Sequence, residues 1–183
     1  GIAIDMNATI IARDGTELAC NVYRPDAPGR YPAILTILPY RKDDVGAGAA
    51  HHDYFVPKGY AVVLLDMRGT GGSRGFTDVG DFCGPEDQRD GYDAIEWIAK
   101  QPWCDSNVGM TGVSFGWFTS LMTATRRPPH LMAIAPIYGG VDFYDDWNEG
   151  GSMLGHLFTG RYSAQMLAYN SAPPSHRDEG GRW

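Results

Sequence analysis

The sequence predicts an α/β fold built on a mostly parallel sheet, and three observations predict it. Tyr31–Leu38 is apolar on nearly every residue, as suits a strand covered on both faces, and Tyr60–Leu65 and Leu131–Ile137 are further apolar runs of strand length. Helical patterns alternate with these runs, and strand–helix–strand units force neighbouring strands to run parallel. One strand-to-helix junction, within Val108–Trp117, carries Gly112-Val113-Ser114-Phe115-Gly116. A serine with glycines two residues to either side marks a turn too tight for Cβ atoms.

Each element has its own justification. Residues 6–12 and 17–24 are β-rich runs joined around Asp14-Gly15, which reads as an antiparallel hairpin. Pro25, Pro28 and Gly29 break the chain before the strand at 31–38, which stops at Pro39-Tyr40-Arg41-Lys42. Residues 47–56 suit a short helix ended by Pro57-Lys58-Gly59. The strand at 60–65 closes on Asp66-Met67-Arg68, and a glycine-rich loop runs from Gly69 to Gly84. The next helix has the plainest signature. Pro85, Glu86, Asp87 and Asp90 lie near its start, where acids suit the positive end of the dipole. Ala94, Ile95, Ile98 and Ala99 form its apolar face, and Pro102 ends it. Val108–Thr111 then feeds the serine, Phe118–Arg126 is the helix leaving it, and 131–137 is one more strand. The expectation is about six strands with the serine after the fifth. Beyond Gly139-Gly140 come aromatics, glycines and a helical stretch from about Met153 to Tyr169, so residues 1–140 read as the sheet-bearing part and 141–183 as a helical addition.

Composition excludes several classes. An apolar fraction of 43% and a charged fraction of 20% are those of a globular chain, and 183 residues suit one domain or part of a larger one. A formal charge of −7 argues against nucleic acid. No apolar run approaches the roughly 20 residues of a membrane span. Residues 1–20 lack a basic and an apolar leader region, so a soluble protein is expected, with the cytoplasm as the default compartment and export open. Cys20, Cys83 and Cys104 form no CxxC and read as separate buried thiols. Gly69-Thr70-Gly71 is followed by Arg74 where a dinucleotide loop needs glycine, and the GK[ST] of a P-loop is absent; the tight loop reads instead as placing Asp66 and Arg68 beside the serine turn. His51-His52-Asp53 has no metal-ligand spacing.

The strand–serine–helix layout is that of a nucleophile elbow, which sets Ser114 against the plainer reading of a small residue in an ordinary turn. The N–H of Phe115, at the start of the new helix, points where an oxyanion would sit. The loop after the third strand should lie beside the elbow; there Tyr40 is either a hydroxyl donor or a packed aromatic at a strand end. A base is harder to find. Among five histidines, His51 and His52 precede the serine, His130 follows the elbow helix, and His156 and His176 read as a polar helix face and a tail. Asp142, Asp145 and Asp146 follow the last strand, yet no later strand delivers a histidine, so the triad is expected to be incomplete in this chain.

Asp66-Met-Arg-Gly-Thr-Gly-Gly-Ser-Arg-Gly75, Ile95-Glu-Trp-Ile-Ala-Lys-Gln-Pro-Trp103 and Val108-Gly-Met-Thr-Gly-Val-Ser-Phe115 together resemble the Xaa-Pro dipeptidyl-peptidase/cocaine-esterase family of α/β-hydrolases. Asp14-Gly15, Val22-Tyr23-Arg24-Pro25 and Leu38-Pro39-Tyr40 match its N-terminal signatures, and the likeness runs from about residue 10 to about 150. The resemblance implies an α/β-hydrolase fold whose first six or so strands, antiparallel hairpin and start of a helical cap are present here. It implies Ser114 as nucleophile, and the Tyr40 hydroxyl and Phe115 N–H as the oxyanion hole. The implied substrates are small acyl, α-amino-acyl or Xaa-Pro esters, amides or peptides, with no cofactor, no nucleic acid and no membrane; a homo-oligomer of the full-length protein stays open. The family's acid and histidine lie well beyond the cap, so the chain resembles the N-terminal part of a longer enzyme. Phe115 stands where the family usually has tyrosine, and Trp117 where glycine is common, which is expected to narrow or reshape the pocket. Tyr144 and Trp147 either line the acyl side or pack within the cap. A non-catalytic module that kept the scaffold is the alternative, and retention of both Ser114 and Tyr40 weighs against it.

Overall fold

In the computed structural model, which describes residues 1–76, 83–140 and 161–172, β1 (Ile2–Ile11) turns at Asp14-Gly15 into β2 (Glu17–Pro25). The two pair antiparallel, as the hairpin signal predicts, with a bulge between Asp5 and Ala8. Gly15 takes φ 88°, a left-handed turn position where a side chain would be strained. β3 (Tyr31–Leu38), β4 (Ala61–Asp66), β5 (Cys104–Val113) and β6 (Leu131–Ile137) complete a six-stranded sheet in the order β1-β2-β4-β3-β5-β6. β4, β3, β5 and β6 run parallel, and β2 meets β4 antiparallel. The expected mostly parallel sheet with an antiparallel entry is thus observed, with the serine after the fifth strand.

Boundaries differ where local backbone intervenes. The 47–56 segment is not one helix: a 3-10 turn (Val45–Ala50) is broken by His51 at φ 45°, and only His52–Phe55 (α1) is α-helical before a second turn at Val56–Lys58. β5 begins four residues earlier than the apolar run, because Arg30 Nε donates to the Cys104 carbonyl at 2.7 Å and the Tyr31 N–H to that of Trp103 at 2.8 Å. α3 (Phe115–Thr125) starts directly after the serine rather than at Phe118, since Ser114 alone absorbs the change of direction.

α2 (Pro85–Ala99) buries Ala94, Ile95, Ile98 and Ala99, the face the sequence predicts, and packs with α3 over β5 and β3. The core is continuous through β2, β3, β4 and β5, where Leu18, Leu35, Val62, Val63, Leu64 and Val108 are fully buried. At about 25 cal/mol per Å² of apolar surface, each such side chain contributes about 1.5–3 kcal/mol. Among the described residues, the opposite face between β3, β5 and β6 is open. A groove of about 330 Å³ runs over Ile34, Gly109, Ala133 and Ala135, bordered by Phe55 and Tyr60. After β6, the next described element is α4 (Tyr162–Ser171), which covers the end of the helical stretch expected from 153 to 169. Asp142, Tyr144, Asp145, Asp146, Trp147, Met153, His156 and His176 lie outside the described residues.

Candidate active site

Ser114 has φ 58° and ψ −107°, a conformation that costs about 1–3 kcal/mol for a residue with a side chain and must be held in place by its surroundings. Two contacts do so. The Ser114 N–H donates to the Ile137 carbonyl at 3.0 Å, tying the turn to the end of β6, and its own carbonyl accepts from Trp117 N–H at 2.9 Å, closing the first turn of α3. A Cβ on Gly112 would lie 2.5 Å from Gly116 Cα, so the two flanking glycines are required by each other's backbone. A Cβ on Gly116 would lie 3.3 Å from a Leu38 methyl group, which shows how close α3 comes to the end of β3. Thr119 Oγ1 fastens that junction by donating to the Ile37 carbonyl at 3.0 Å.

Tyr40 is therefore delivered to the elbow by chain geometry: it follows Leu38 by two residues on the strand neighbouring β5. Its hydroxyl lies near the Ser114 side chain and the Phe115 N–H, both of which bear on its proton affinity, and its ring meets that of Phe115 edge-on at 6.3 Å. Burial holds the Tyr40 hydroxyl above the usual phenol range, against the pull of its hydrogen bond to Tyr162 and of the nearby Ser114 side chain and Phe115 N–H. The phenol stays protonated at neutral pH and can donate. Donors converging beside a half-buried hydroxyl at a helix N-terminus form an arrangement that can stabilise negative charge developing on a carbonyl oxygen.

The loop carrying Tyr40 is anchored by residues that sequence reasoning passed over. Arg41 takes φ 61°, and the Tyr40 carbonyl accepts from Gly46 N–H at 2.9 Å. Asp66, at the end of β4 opposite Leu38, accepts the Lys42 N–H at 2.7 Å and the Gly72 N–H at 2.8 Å. A Cβ on Gly71 would lie 2.2 Å from that carboxylate, so the glycine-rich loop wraps it. Burial pushes the Asp66 carboxyl upward while the two N–H groups pull it down. The Lys42 side chain is fully buried: Nζ donates to Asp43 Oδ2 and Asn7 Oδ1, both at 2.6 Å. Asn21 Nδ2 donates to Asp43 Oδ1 at 2.7 Å, and the Asn7 N–H to Asn21 Oδ1 at 3.0 Å. Asn7 sits in the β1 bulge at φ 56°, so an irregularity invisible in the β-rich pattern completes the network. The sequence places Asp66 and Arg68 together beside the elbow; the structure separates them. Asp66 holds the Tyr40 loop, whereas Arg68 grips Asp90 of α2 with two 2.6 Å bonds and reaches Asp14 at 3.1 Å.

α4 closes over Tyr40. The Tyr162 hydroxyl is 3.2 Å from that of Tyr40, and the Tyr169 ring stands edge-on to Tyr40 at 6.5 Å. Trp117 is buried with Cys83 and Phe118, and a Cβ on Gly139 would lie 2.1 Å from its ring, so its bulk is taken up at the end of β6. The described histidines stand elsewhere. His130 precedes β6, its carbonyl accepting from Val108 midway along β5, and its ring meets Glu96 at 2.9 Å. The five residue steps from Val108 to Val113 span about 17 Å, so His130 is at the far end of the sheet from Ser114. His52 stacks on Tyr23 at 4.1 Å, beside Val62 at the start of β4.

The family model of the X-Pro dipeptidyl-peptidases (S15 family) matches residues 14–182. The chain is 40% identical over 146 residues to the cocaine esterase of Rhodococcus sp. (strain MB1 Bresler), covering 78% of this chain and 25% of that protein. It is 30% identical over 181 residues to a putative Xaa-Pro dipeptidyl-peptidase of Bacillus anthracis, covering 78% and 30%. Among solved structures, a CocE/NonD family hydrolase from Staphylococcus aureus superposes with a TM-score of 0.65 at 29% identity, over 73% of this chain and 27% of that one. The sheet is thus the first part of an α/β-hydrolase fold, and the matched part spans about a quarter to a third of the length of these three relatives. The matched segment holds the serine turn, the Tyr40 loop and the glycine-rich wrap around Asp66, and the chain belongs to the X-Pro dipeptidyl-peptidase (S15) family.

Proposed function

We propose that this chain carries the nucleophile and oxyanion hole of a serine hydrolase that cleaves an ester or amide through an acyl-enzyme on Ser114. The observation that carries this reading is the convergence of the Tyr40 hydroxyl and the Phe115 N–H beside Ser114 at a strained strand–helix turn. The names of the relatives, a cocaine esterase and a putative Xaa-Pro dipeptidyl-peptidase, support an acyl, α-amino-acyl or Xaa-Pro type of substrate. Ser114 Oγ attacks the carbonyl carbon while a general base takes its proton. The carbonyl oxygen becomes an oxyanion held by Phe115 N–H and Tyr40 O–H. Collapse expels the alcohol or amine, which receives the proton from the base, and water then releases the acid by the same route in reverse. The base and its orienting acid are assigned to residues outside 1–183. His52 stacks on Tyr23 and His130 meets Glu96, and the Rhodococcus cocaine esterase is about four times as long as the part matched here.

A fluorophosphonate probe applied to the protein expressed from its whole reading frame tests this. Covalent labelling on Ser114, abolished by Ser114→Ala, is expected; an unlabelled Ser114 in a folded protein would sink the proposal. Tyr40→Phe is expected to lower kcat by about 10²–10³ with the fold intact.

A further inference from the structure

The reading of Ser114 and Tyr40 leaves one hydroxyl of the site without a task. Tyr162, on the first turn of α4, places its oxygen 3.2 Å from that of Tyr40. A phenol has one proton to give and lone pairs to accept with. Tyr40 is hydrogen-bonded to the Tyr162 hydroxyl, and two further groups stand near enough to bear on its proton: the Phe115 N–H, which can only donate, and the Ser114 side chain. Were Tyr40 to donate to Tyr162, its proton would be turned away from Ser114, and an oxyanion would meet a lone pair instead.

Resting on the hydrolase reading above, we propose that Tyr162 is a positioning residue of the oxyanion hole: its hydroxyl donates to the Tyr40 oxygen and leaves the Tyr40 proton facing Ser114. A hydroxyl that accepts a hydrogen bond is also polarised into a better donor, by about 10–30% per bond. The chain O–H(162)···O–H(40)···oxyanion therefore strengthens as charge develops on the substrate. Both phenols stay protonated, because burial raises each above the usual phenol range.

The placement of Tyr162 is built into the same loop. Arg41, next to Tyr40, directs its guanidinium to the last carbonyls of α4, 3.3 Å from Ala172 O and 3.5 Å from Tyr169 O, while Asp44 holds it from the other side at 2.7 Å. A cation at that end suits the helix dipole. One loop thus sets both the donor and, through the helix it caps, the hydroxyl that orients the donor.

A double-mutant cycle on the protein expressed from its whole reading frame tests this, with p-nitrophenyl acetate as substrate and fluorophosphonate labelling as an independent measure of Ser114. Tyr162→Phe keeps the ring and removes the hydroxyl. It is expected to lower kcat by about 5–10-fold with KM little changed, and to cost nothing further in a Tyr40→Phe background, where there is no proton to orient. A general loosening of α4 would instead lower activity by the same factor in both backgrounds. That additivity, or wild-type kcat in Tyr162→Phe, would overturn the proposal while leaving the hydrolase reading in place. A wild-type protein that neither labels nor turns over would remove both.

Discussion

Lys42 ties the Tyr40 loop to β1 and to the end of β4. Its ammonium is buried between Asp43 and Asn7, and its backbone N–H is taken by Asp66. Breaking a buried pair on one side leaves the other charge without compensation, at about 3–5 kcal/mol. Lys42→Met is therefore expected to destabilise the protein by about that amount, read as a lower urea midpoint with unchanged m-value; a loss below about 1 kcal/mol would mean Asp43 finds other partners. The turn at Ser114 was legible at this scale from its flanking glycines taken with the strand before it and the helix after it, because the steric demand of the turn is written into nearby positions. Tyr40 was not, since a tyrosine at a strand end is equally a packed aromatic; the family resemblance singled it out. Lys42 carried no signal, because its partners Asn7 and Asp43 come together only when a bulged β1 crosses the loop after β3.

Among the elements, α2 and α3 meet at one unusually close point. A Cβ on Gly91 would lie 2.2 Å from Thr123 Oγ1 and 2.8 Å from its Cγ2. Gly-to-Ala in a helix interior gains up to about 1 kcal/mol in propensity, but overpacking costs about 1–3 kcal/mol. Gly91→Ala is expected to lower stability by about 1 kcal/mol net. Thr123→Ala in the same chain should restore it, because the Thr123 hydroxyl is buried without a hydrogen-bond partner. Stabilisation by Gly91→Ala alone, measured by thermal melting, would refute the contact. Helix α2 was readable from its acids, Pro85 and apolar face because all are local. The 47–56 segment departs from a single helix because His51 takes φ 45°, which no composition rule anticipates.

Over the whole molecule, β1 and β6 are the two edges of the sheet among the described residues. Among the described residues β6 ends the sheet, with Met132 and Ile137 about half exposed and Tyr138 four-fifths exposed. An unpaired apolar edge invites pairing with another chain. Residues 1–183 expressed alone are expected to self-associate, and Met132→Lys to reduce the association as seen by light scattering; a monomeric wild-type segment at high concentration would contradict this. No helix among the described residues is long and apolar enough to cross a membrane. The sequence by itself determined the strand–helix alternation, the hairpin, the serine turn and the family, because periodicity, turn residues and tight-turn glycines act over a few neighbouring positions. The tertiary structure decided what holds the site together: the Asp66 clasp, the buried Lys42 network and α4 resting on Tyr40 through Tyr162 and Tyr169. These join residues up to 131 positions apart, as Arg41 to Ala172. Such contacts depend on which strands become neighbours, and that is settled only when the sheet assembles.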